Sequence, residues 1–269
     1  MNDQHWSVAA PQTLEVDGVL SLKLGAIGGR FDVVAHDEPV TRVTISELEG
    51  DSLEIHFSEG LLELRHGNHD VSRWLGSKNP VELPNRLVVT ISAPATTAVD
   101  VGTISGDGLV SGIDSQIKVS SVSGSLMSDS TRGSLSVKTI SGEAIVRSHS
   151  GELSLNSASG EATASGDLES IKANSATGDL SFDCWSAVKK ISTNTVSGSI
   201  LIRLPEELAV DLSASSVAGQ IDVNDETVRV LGNTKRSFGN RDNGVVHVNC
   251  TSVSGSVTVV NRMIIEEKN

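Results

Sequence analysis

Residues 135–182 read LSVKTISGEAIVRSHSGELSLNSASGEATASGDLESIKANSATGDLSF, with a Ser-Gly or Thr-Gly dipeptide every 18 residues. The glycine of this dipeptide, or of an Ala-Gly equivalent, recurs through the chain at Gly106, Gly124, Gly142, Gly160, Gly178, Gly198, Gly219 and Gly255. The first four steps are 18 residues long, and the later steps are 20, 21 and 36. A unit of this length is too short for a two-helix repeat or a propeller blade. It is typical of one coil of a β-solenoid, in which each coil stacks on the one before.

Apolar residues recur at fixed distances from this glycine column. Seven and five residues before the glycine, and two and four residues after it, most side chains are apolar, while Ser, Lys, Asp and Asn dominate the positions between. Alternation with period two predicts strands with one buried face. We expect these positions to point into the coil, together with a further inward ladder two residues before the glycine. That further ladder comprises Ile104, Val122, Ile140, Ala158, Ala176, Val196, Val217 and Val253.

The glycines mark the turns of the coil. We expect a positive φ in the glycine column, because glycine adopts that backbone region without a Cβ penalty. Gly133 and Gly151 follow Gly124 and Gly142 by nine residues, which is half a unit. Each coil therefore consists of two strands joined by two corners.

The segment before the repeat has a different pattern. Residues 12–91 lack the 18-residue period but alternate apolar and polar side chains between turn signals, as in Leu20-Ser21-Leu22-Lys23-Leu24. We interpret residues 1–85 as an antiparallel β subdomain that caps the first coil, since an open solenoid end exposes an unpaired edge. The solenoid is expected over residues 86–262, followed by a tail over 263–269. Residues 66–80 and 233–243 are expected to be polar loops, the second of which interrupts the coil series.

Composition limits the classes of function. The chain has 21 Lys and Arg against 34 Asp and Glu, a net charge of −13, so nucleic-acid binding is not expected. No apolar run reaches the roughly 18 residues of a membrane helix, so membrane insertion is not expected either. The N-terminus lacks a basic segment followed by an apolar one, which favours a cytoplasmic protein. In that reducing compartment Cys184 and Cys250 are expected to be buried free thiols.

Several short motifs, taken in order along the chain, carry a resemblance to a known family. They are Leu14-Glu15-Val16, Gly29-Arg30-Phe31-Asp32-Val33-Val34, Leu61 to Leu64, Val88 to Pro94, the repeated Ser-Gly-Glu/Asp and Leu204-Pro205. With these motifs the chain resembles the bacterial β-strand-repeat proteins called putative adhesins, a domain of unknown function. The resemblance implies a β-solenoid fold and a role in surface adhesion. It supplies no catalytic residues.

Two columns of polar residues follow the same period. An acidic column directly after the glycines comprises Asp107, Glu143, Glu161 and Asp179. One carboxylate per coil does not provide the six to eight oxygens that calcium requires, so we interpret this column as solvated corner charges. An amide column comprises Asn156, Asn174 and Asn194. Stacked amides of this kind predict hydrogen bonds along the solenoid, which is a structural role.

Other candidate sites are weaker. His66 and His69 lie beside Asp70 with a spacing compatible with a metal pair, but a zinc site needs a third and a fourth ligand in place. We therefore interpret this segment as a loop and predict no metal site. No Gly-rich phosphate loop or nucleophile motif is present in the sequence, and we predict no catalytic residue and no cofactor.

One apolar feature falls where polar residues are expected. The third residue after the glycine should face outward, yet Leu109, Met127, Ile145 and Leu201 occupy that position. An outward apolar stripe indicates a surface that is covered, either by another part of the chain or by a partner. We treat these four residues as a candidate interaction stripe.

These features favour a non-catalytic β-solenoid scaffold or protein-interaction module. The alternative is a surface adhesin that binds extracellular protein or carbohydrate. A solenoid hydrolase ranks third, because the aromatic residues that line the groove of such an enzyme are scattered in this sequence. A protein partner and self-association into an oligomer both stay open.

Overall fold

Strands make up almost all of the regular structure in this computed structural model, which describes residues 3–67, 85–205, 208–223, 226–239 and 241–261. The one helix within those residues is the short 3-10 turn Arg241–Asn243. No helix in the described part is long and apolar enough to cross a membrane. The strands belong to two compact units, Met1–Arg132 and Gly133–Asn269. The predicted all-β class is confirmed, while the predicted tail over 263–269 lies outside the described residues.

The first unit is built on a long strand with parallel neighbours. The strands of its described part are β1 (Gln4–Val8), β2 (Gln12–Asp17), β3 (Ser21–His36), β4 (Val40–Glu49), β5 (Leu53–Ser58), β6 (Leu61–His66), β7 (Arg86–Pro94), β8 (Ala98–Ser111), β9 (Ile117–Ser121) and β10 (Leu126–Asp129). Strand β3 pairs in parallel with β8, and also with β6 along its first part and β7 along its second. Strands β9 and β10 pair in parallel with β8.

Antiparallel strands continue from both β6 and β7. Strand β6 is antiparallel to β5, and β5 to β1, while β7 is antiparallel to β4, and β4 to β2. The predicted range 1–85 thus contains antiparallel strands, but β3 inside it is parallel to its neighbours and β7 beyond it is antiparallel to β4. The division of the chain into 1–85, 86–262 and 263–269 stays a prediction.

A glycine at an inward position accommodates the largest side chain of this unit's core. Phe31 is buried and lies opposite Gly108 in the β3–β8 register. A Cβ at Gly108 would overlap the Phe31 ring. Gly108 therefore replaces the apolar residue found two positions after the turn glycine in other repeats, such as Leu126.

The second unit is a stack of parallel strands. Its strands are β11 (Arg132–Thr139), β12 (Ala144–Ser157), β13 (Ala162–Ser175), β14 (Leu180–Cys184), β15 (Lys190–Ser197), β16 (Ile200–Leu204), β17 (Ala209–Val223), β18 (Glu226–Phe238), β19 (Val245–Ser254) and β20 (Val257–Asn261). Ala144 pairs with Ala162, and Ala162 with Leu180, so register partners are 18 residues apart in these coils. Successive turns of one chain, paired in parallel, form a β-solenoid.

The four apolar ladders predicted on either side of the glycine are confirmed for nearly every position that the structure describes. In the second unit the first two are buried at Leu135, Val137, Leu153, Leu155, Ile171, Ala173, Ile191, Thr193, Leu212, Ala214, Val248 and Cys250. Their burial follows from the pleat, which sends alternate side chains to one face.

The last coils do not stack in chain order. Strand β19 pairs in parallel with both β15 and β17, and β20 pairs with both β16 and β17. In the stack, β19 and β20 therefore lie between β17 on one side and β15 and β16 on the other, although β17 comes before them in the chain. The predicted loop over 233–243 is wrong in its first half, because Asn233 to Phe238 belong to β18, which is antiparallel to β17. An extra strand along β17 satisfies backbone groups that the end of a parallel stack leaves open.

The glycine column serves close approach between coils. The predicted positive φ occurs at Gly124 but not at Gly142, Gly160 or Gly178. A Cβ on Gly160 would overlap the carbonyl oxygen of Gly142, and one on Gly178 would overlap that of Gly160. Glycine is required at these turns because consecutive backbones stack directly on one another.

A buried hydroxyl closes each of these turns. The N–H of Gly160 donates to Ser157 Oγ at 3.0 Å, and the same hydroxyl donates to the Gly160 carbonyl at 3.1 Å. Ser175 and Gly178 repeat this pair of bonds. The side chain three residues before the glycine therefore points inward, and the side chain two residues before the glycine points outward.

Candidate binding surfaces

An apolar ridge lies on the outside of the turns of the second unit. We define the apolar ridge as Ile140, Ala158, Ala176, Val196 and Val253. Ile140 and Val196 each expose 54% of their surface and Val253 exposes 46%. The first unit has the same feature at Ile104 and Val122, both exposed. The predicted inward ladder two residues before the glycine is therefore wrong at these positions.

Backbone hydrogen bonds hold the ridge residues in line. The N–H of Ser159 donates to the Ile140 carbonyl, that of Thr177 to Ala158, and that of Ser197 to Ala176. Ser197 pairs with Ser254, which brings Val196 beside Val253. Neighbouring ridge side chains are thus about 4.8 Å apart, the spacing of paired strands.

A signal in the sequence could have located the ridge. Inward positions seven and five residues before the glycine imply a third inward position three residues before it, where Thr139, Ser157 and Ser175 stand. All three are polar, which is typical of an outward position. In the structure all three are buried. Because the hydroxyl occupies the interior, the apolar residue next to it is left in solvent.

The candidate interaction stripe is partly buried and not continuous. Leu109, Met127, Ile145 and Leu201 are all half-buried. In the first unit Met127 pairs with Leu109. In the second unit Ile145 pairs with Thr163, Thr163 with Ser181 and Ser181 with Leu201, so two polar residues separate Ile145 from Leu201. The role of the stripe as an interaction surface stays a prediction.

The amide column forms the predicted hydrogen-bonded ladder. Asn174 Nδ2 donates to Asn156 Oδ1 at 2.8 Å, and Asn194 Nδ2 donates to Asn174 Oδ1 at 2.9 Å. This asparagine ladder ends where Asn194 pairs with Thr251. Its amides bind each other, as a structural role requires.

Two members of the acidic column accept bonds from the backbone of an adjacent coil. Asp107 Oδ1 accepts from the Ser125 N–H at 2.8 Å, and Asp179 Oδ1 accepts from the Ser199 N–H at 2.7 Å. Ser125 and Ser199 are the residues at which the acidic column is interrupted and ended in the sequence. Each aspartate thus binds a backbone N–H of an adjacent coil that has Ser in place of a carboxylate at this position.

His66 is a core residue. It is the last residue of β6 and fully buried, with Nε2 3.1 Å from the Asp51 carbonyl oxygen. The prediction that His66 begins a loop is therefore wrong. His69, the other member of the candidate metal pair, and the neighbouring Asp70 lie outside the described residues. Among the residues that are described, no three His, Cys, Asp or Glu side chains form a metal-sized cluster.

A charged groove of about 990 Å³ lies in the first unit, with Lys23, Glu63 and Arg65 in its lining. Glu63 accepts from Lys23 Nζ at 3.0 Å and from Arg65 Nη2 at 2.8 Å. Burial raises the pKa of Glu63, but hydrogen bonds from Arg65 and Lys23 outweigh it and leave the pKa below its ordinary value. Because Lys23 and Glu63 are register partners, the ion pair joins the outer faces of β3 and β6.

The two cysteines are buried free thiols, as predicted. Burial raises the pKa of Cys250 to about 11. A thiol with this pKa stays protonated near neutral pH, and the thiolate is the nucleophilic form. Cys250 therefore acts as a packing residue in the interior of the coil.

The comparisons with known proteins agree with this geometry. Residues 25–260 match the Toastrack DUF4097 family. The chain belongs to this family. No curated protein matches it. The predicted resemblance to adhesin-like β-solenoid proteins of unknown function is confirmed.

Two crystal structures show the same fold as this Toastrack protein. One is a putative adhesin from Bacteroides fragilis, with a TM-score of 0.53 and 15% identity over 94% of this chain and 97% of that one. Another is a putative adhesin from Parabacteroides merdae, with a TM-score of 0.51 and 11% identity over 93% of this chain and 95% of that one. At these identities the likeness concerns the fold alone.

Proposed function

We propose that this Toastrack protein is a non-catalytic interaction module that binds a protein partner through the apolar ridge. The observation that carries the proposal is the exposure of Ile140, Val196 and Val253 along one line of hydrogen-bonded turns. Apolar side chains in a row gain roughly 25 cal/mol for each Å² that a partner removes from water.

The chemistry of the ridge suits binding at low entropic cost. Ile and Val are branched at Cβ and have few χ1 rotamers to lose. Their backbones are already fixed by bonds between successive turns. Loss of side-chain and loop entropy is a main cost of association, and at the ridge most of that entropy is already lost when the chain folds.

Removal of the ridge tests the proposal. In the triple variant Ile140→Ser/Val196→Ser/Val253→Ser we expect an unchanged melting temperature and loss of the partner in quantitative affinity capture. Trp185→Ser is the matched control, because Trp185 is also apolar and 46% exposed but lies outside the ridge. A partner retained by the triple variant, or lost equally from the Trp185→Ser protein, would contradict the proposal.

The cell surface is the second setting to consider. The structural relatives named putative adhesins favour it, whereas two unpaired cysteines favour a reducing compartment such as the cytoplasm. We place the protein in the cytoplasm and infer no binding of nucleic acid, given a net charge of −13. Fractionation of the native cell, with antibody detection, separates the two settings. Protein accessible to protease on intact cells would favour the adhesin.

A further inference from the structure

The second unit has a second surface of distinct chemistry, which we call the cationic groove. Its volume is about 630 Å³, and its lining includes Lys190, Asp211, Lys235, Arg241, His247 and Asn249. Strand pairing brings these residues together: Lys190 pairs with His247, and His247 with Asp211. Asp211 also pairs with Ser237 on β18. The groove exists only because β19 is inserted between β15 and β17.

The single carboxylate in this lining is already bound. Asp211 Oδ1 accepts from Arg241 Nη2 at 2.6 Å and from Ser237 Oγ at 2.7 Å. His247 Nδ1 lies 3.7 Å from Asp211 Oδ2. Within the described residues, Lys190 and Lys235 have no ion-pair partner. Both lysines are exposed.

This local charge opposes the charge of the whole chain. The protein carries −13 overall, yet three cationic side chains, Lys190, Lys235 and Arg241, share the groove face with one carboxylate. Like charges gathered on one face repel each other and attract anions. A cluster of this sign on an acidic protein therefore indicates an anionic binding partner.

The layout of the groove narrows the class of anion. Lys190 on β15 and Lys235 on β18 are three strand spacings apart and two residues out of register, a separation of about 16 Å. Between them, on β19 and β17, lie His247, Asp211, Asn249 and Ser213, and the hydroxyl and amide groups of Ser213 and Asn249 bind hydroxyls well. We propose that the cationic groove binds an acidic oligosaccharide, with separate anionic groups at the two lysines and sugar hydroxyls across the polar floor. This site is distinct from the apolar ridge, so either proposal can fail without the other.

Titration with oligogalacturonate tests the proposal. We expect binding by calorimetry that weakens as salt rises from 50 to 300 mM, because exposed charges are screened over that range. The double variant Lys190→Ala/Lys235→Ala should bind at least tenfold more weakly. Lys190→Arg/Lys235→Arg should keep the affinity within about threefold, since charge is retained. The matched control is Lys118→Ala/Lys138→Ala, which removes two exposed lysines outside the groove and should bind like the wild type.

Three results would overturn the proposal. One is the absence of oligogalacturonate binding to the wild-type protein. Another is equal weakening in the groove variant and the Lys118/Lys138 control. The third is binding of poly-glutamate as tight as that of oligogalacturonate, which would assign the groove to acidic peptides. Neutral dextran should not bind, and a melting temperature shared by all variants establishes that each is folded.

Discussion

The two turns of a coil in the second unit both use glycine, but their backbones differ. Gly142, Gly160 and Gly178 lie outside the positive-φ region, and a Cβ on Gly160 or Gly178 would overlap the preceding turn. At the other turn Gly133 and Gly151 have φ of 103° and 134°, and Gly166, which pairs with His149, has φ of 144°. A Cβ on Gly151 would also overlap the Gly133 carbonyl oxygen. Close stacking is common to both turns, while a left-handed backbone belongs to the second alone.

The difference predicts which changes the repeat tolerates and which it does not. The first turn carries a buried hydroxyl and presents the apolar ridge, whereas the second turn reverses the chain by its backbone conformation. Each turn can stack only on a turn of its own kind. The two columns must therefore stay in phase along the coil stack.

Deletions that keep or break this phase have the largest expected effect. Removal of residues 143–160 takes out one full unit of 18 and joins Gly142 to Glu161, so turns of the same kind meet again. We expect a folded protein with a cooperative thermal transition. Removal of residues 143–151 takes out nine and places unlike turns together, and we expect loss of the folded state. Circular dichroism during a thermal melt measures both, and equal damage from the two deletions would refute the phase requirement.

Alanine substitutions separate the two reasons for glycine. Gly151→Ala combines backbone overlap with a positive φ, and we expect it to cost about 3–5 kcal/mol. Gly160→Ala has overlap alone and should cost about 2–3 kcal/mol. Gly232 is the control in the same unit, because its φ is 97° and nothing lies within 4 Å of its Cβ position. Gly232→Ala should cost about 1 kcal/mol in urea unfolding, and an equal loss at Gly160 and Gly232 would contradict the close-approach interpretation.

The buried hydroxyls give a smaller contrast within the first kind of turn. Ser157→Ala removes both bonds to Gly160 and leaves a buried N–H without a partner, at a cost of about 1–3 kcal/mol. Ser252 holds the same position before Gly255, but in the described structure its buried hydroxyl has no hydrogen-bond partner. Ser252→Ala should therefore leave the free energy of unfolding unchanged or raise it slightly. Urea titration of both variants checks the contrast, and equal losses would show that the hydroxyl acts by packing.

Much of the fold is readable in the sequence because one chemistry repeats at one spacing. The ladders through Leu153 and Leu155 follow from period-two alternation, and the asparagine ladder follows from three amides in register. The ridge was misassigned because Ser157 and its equivalents are polar yet buried. Polarity alone does not show that a hydroxyl can be satisfied by the turn that it closes.

The exchange of the last two coils could not be predicted for another reason. Ile221 and Val257 are both apolar residues two positions after a turn glycine, so either coil fits either place in the stack. Their order depends on strand β18, which gives β17 an antiparallel neighbour. The cationic groove could not be predicted either. Lys190, Asp211 and His247 are far apart in the chain and meet only because the last two coils are exchanged.

The asparagine ladder beside the first turn supplies the smallest expected effect. Asn174 donates one bond and accepts one, whereas Asn156 only accepts within the ladder. Asn174 is half-buried, so water replaces part of what its removal takes away. Asn174→Ala should cost about 1 kcal/mol, and Asn156→Ala about half of that. Asn249→Ala, at an exposed asparagine outside the ladder, should cost nothing measurable in urea unfolding.

If the loss at Asn174 exceeds the sum of the losses at Asn156 and Asn194, the bonds strengthen one another along the stack, as expected when aligned amides polarise each other. A loss at Asn174 no greater than that at Asn249 would instead mean that turn stacking alone sets the register of these coils.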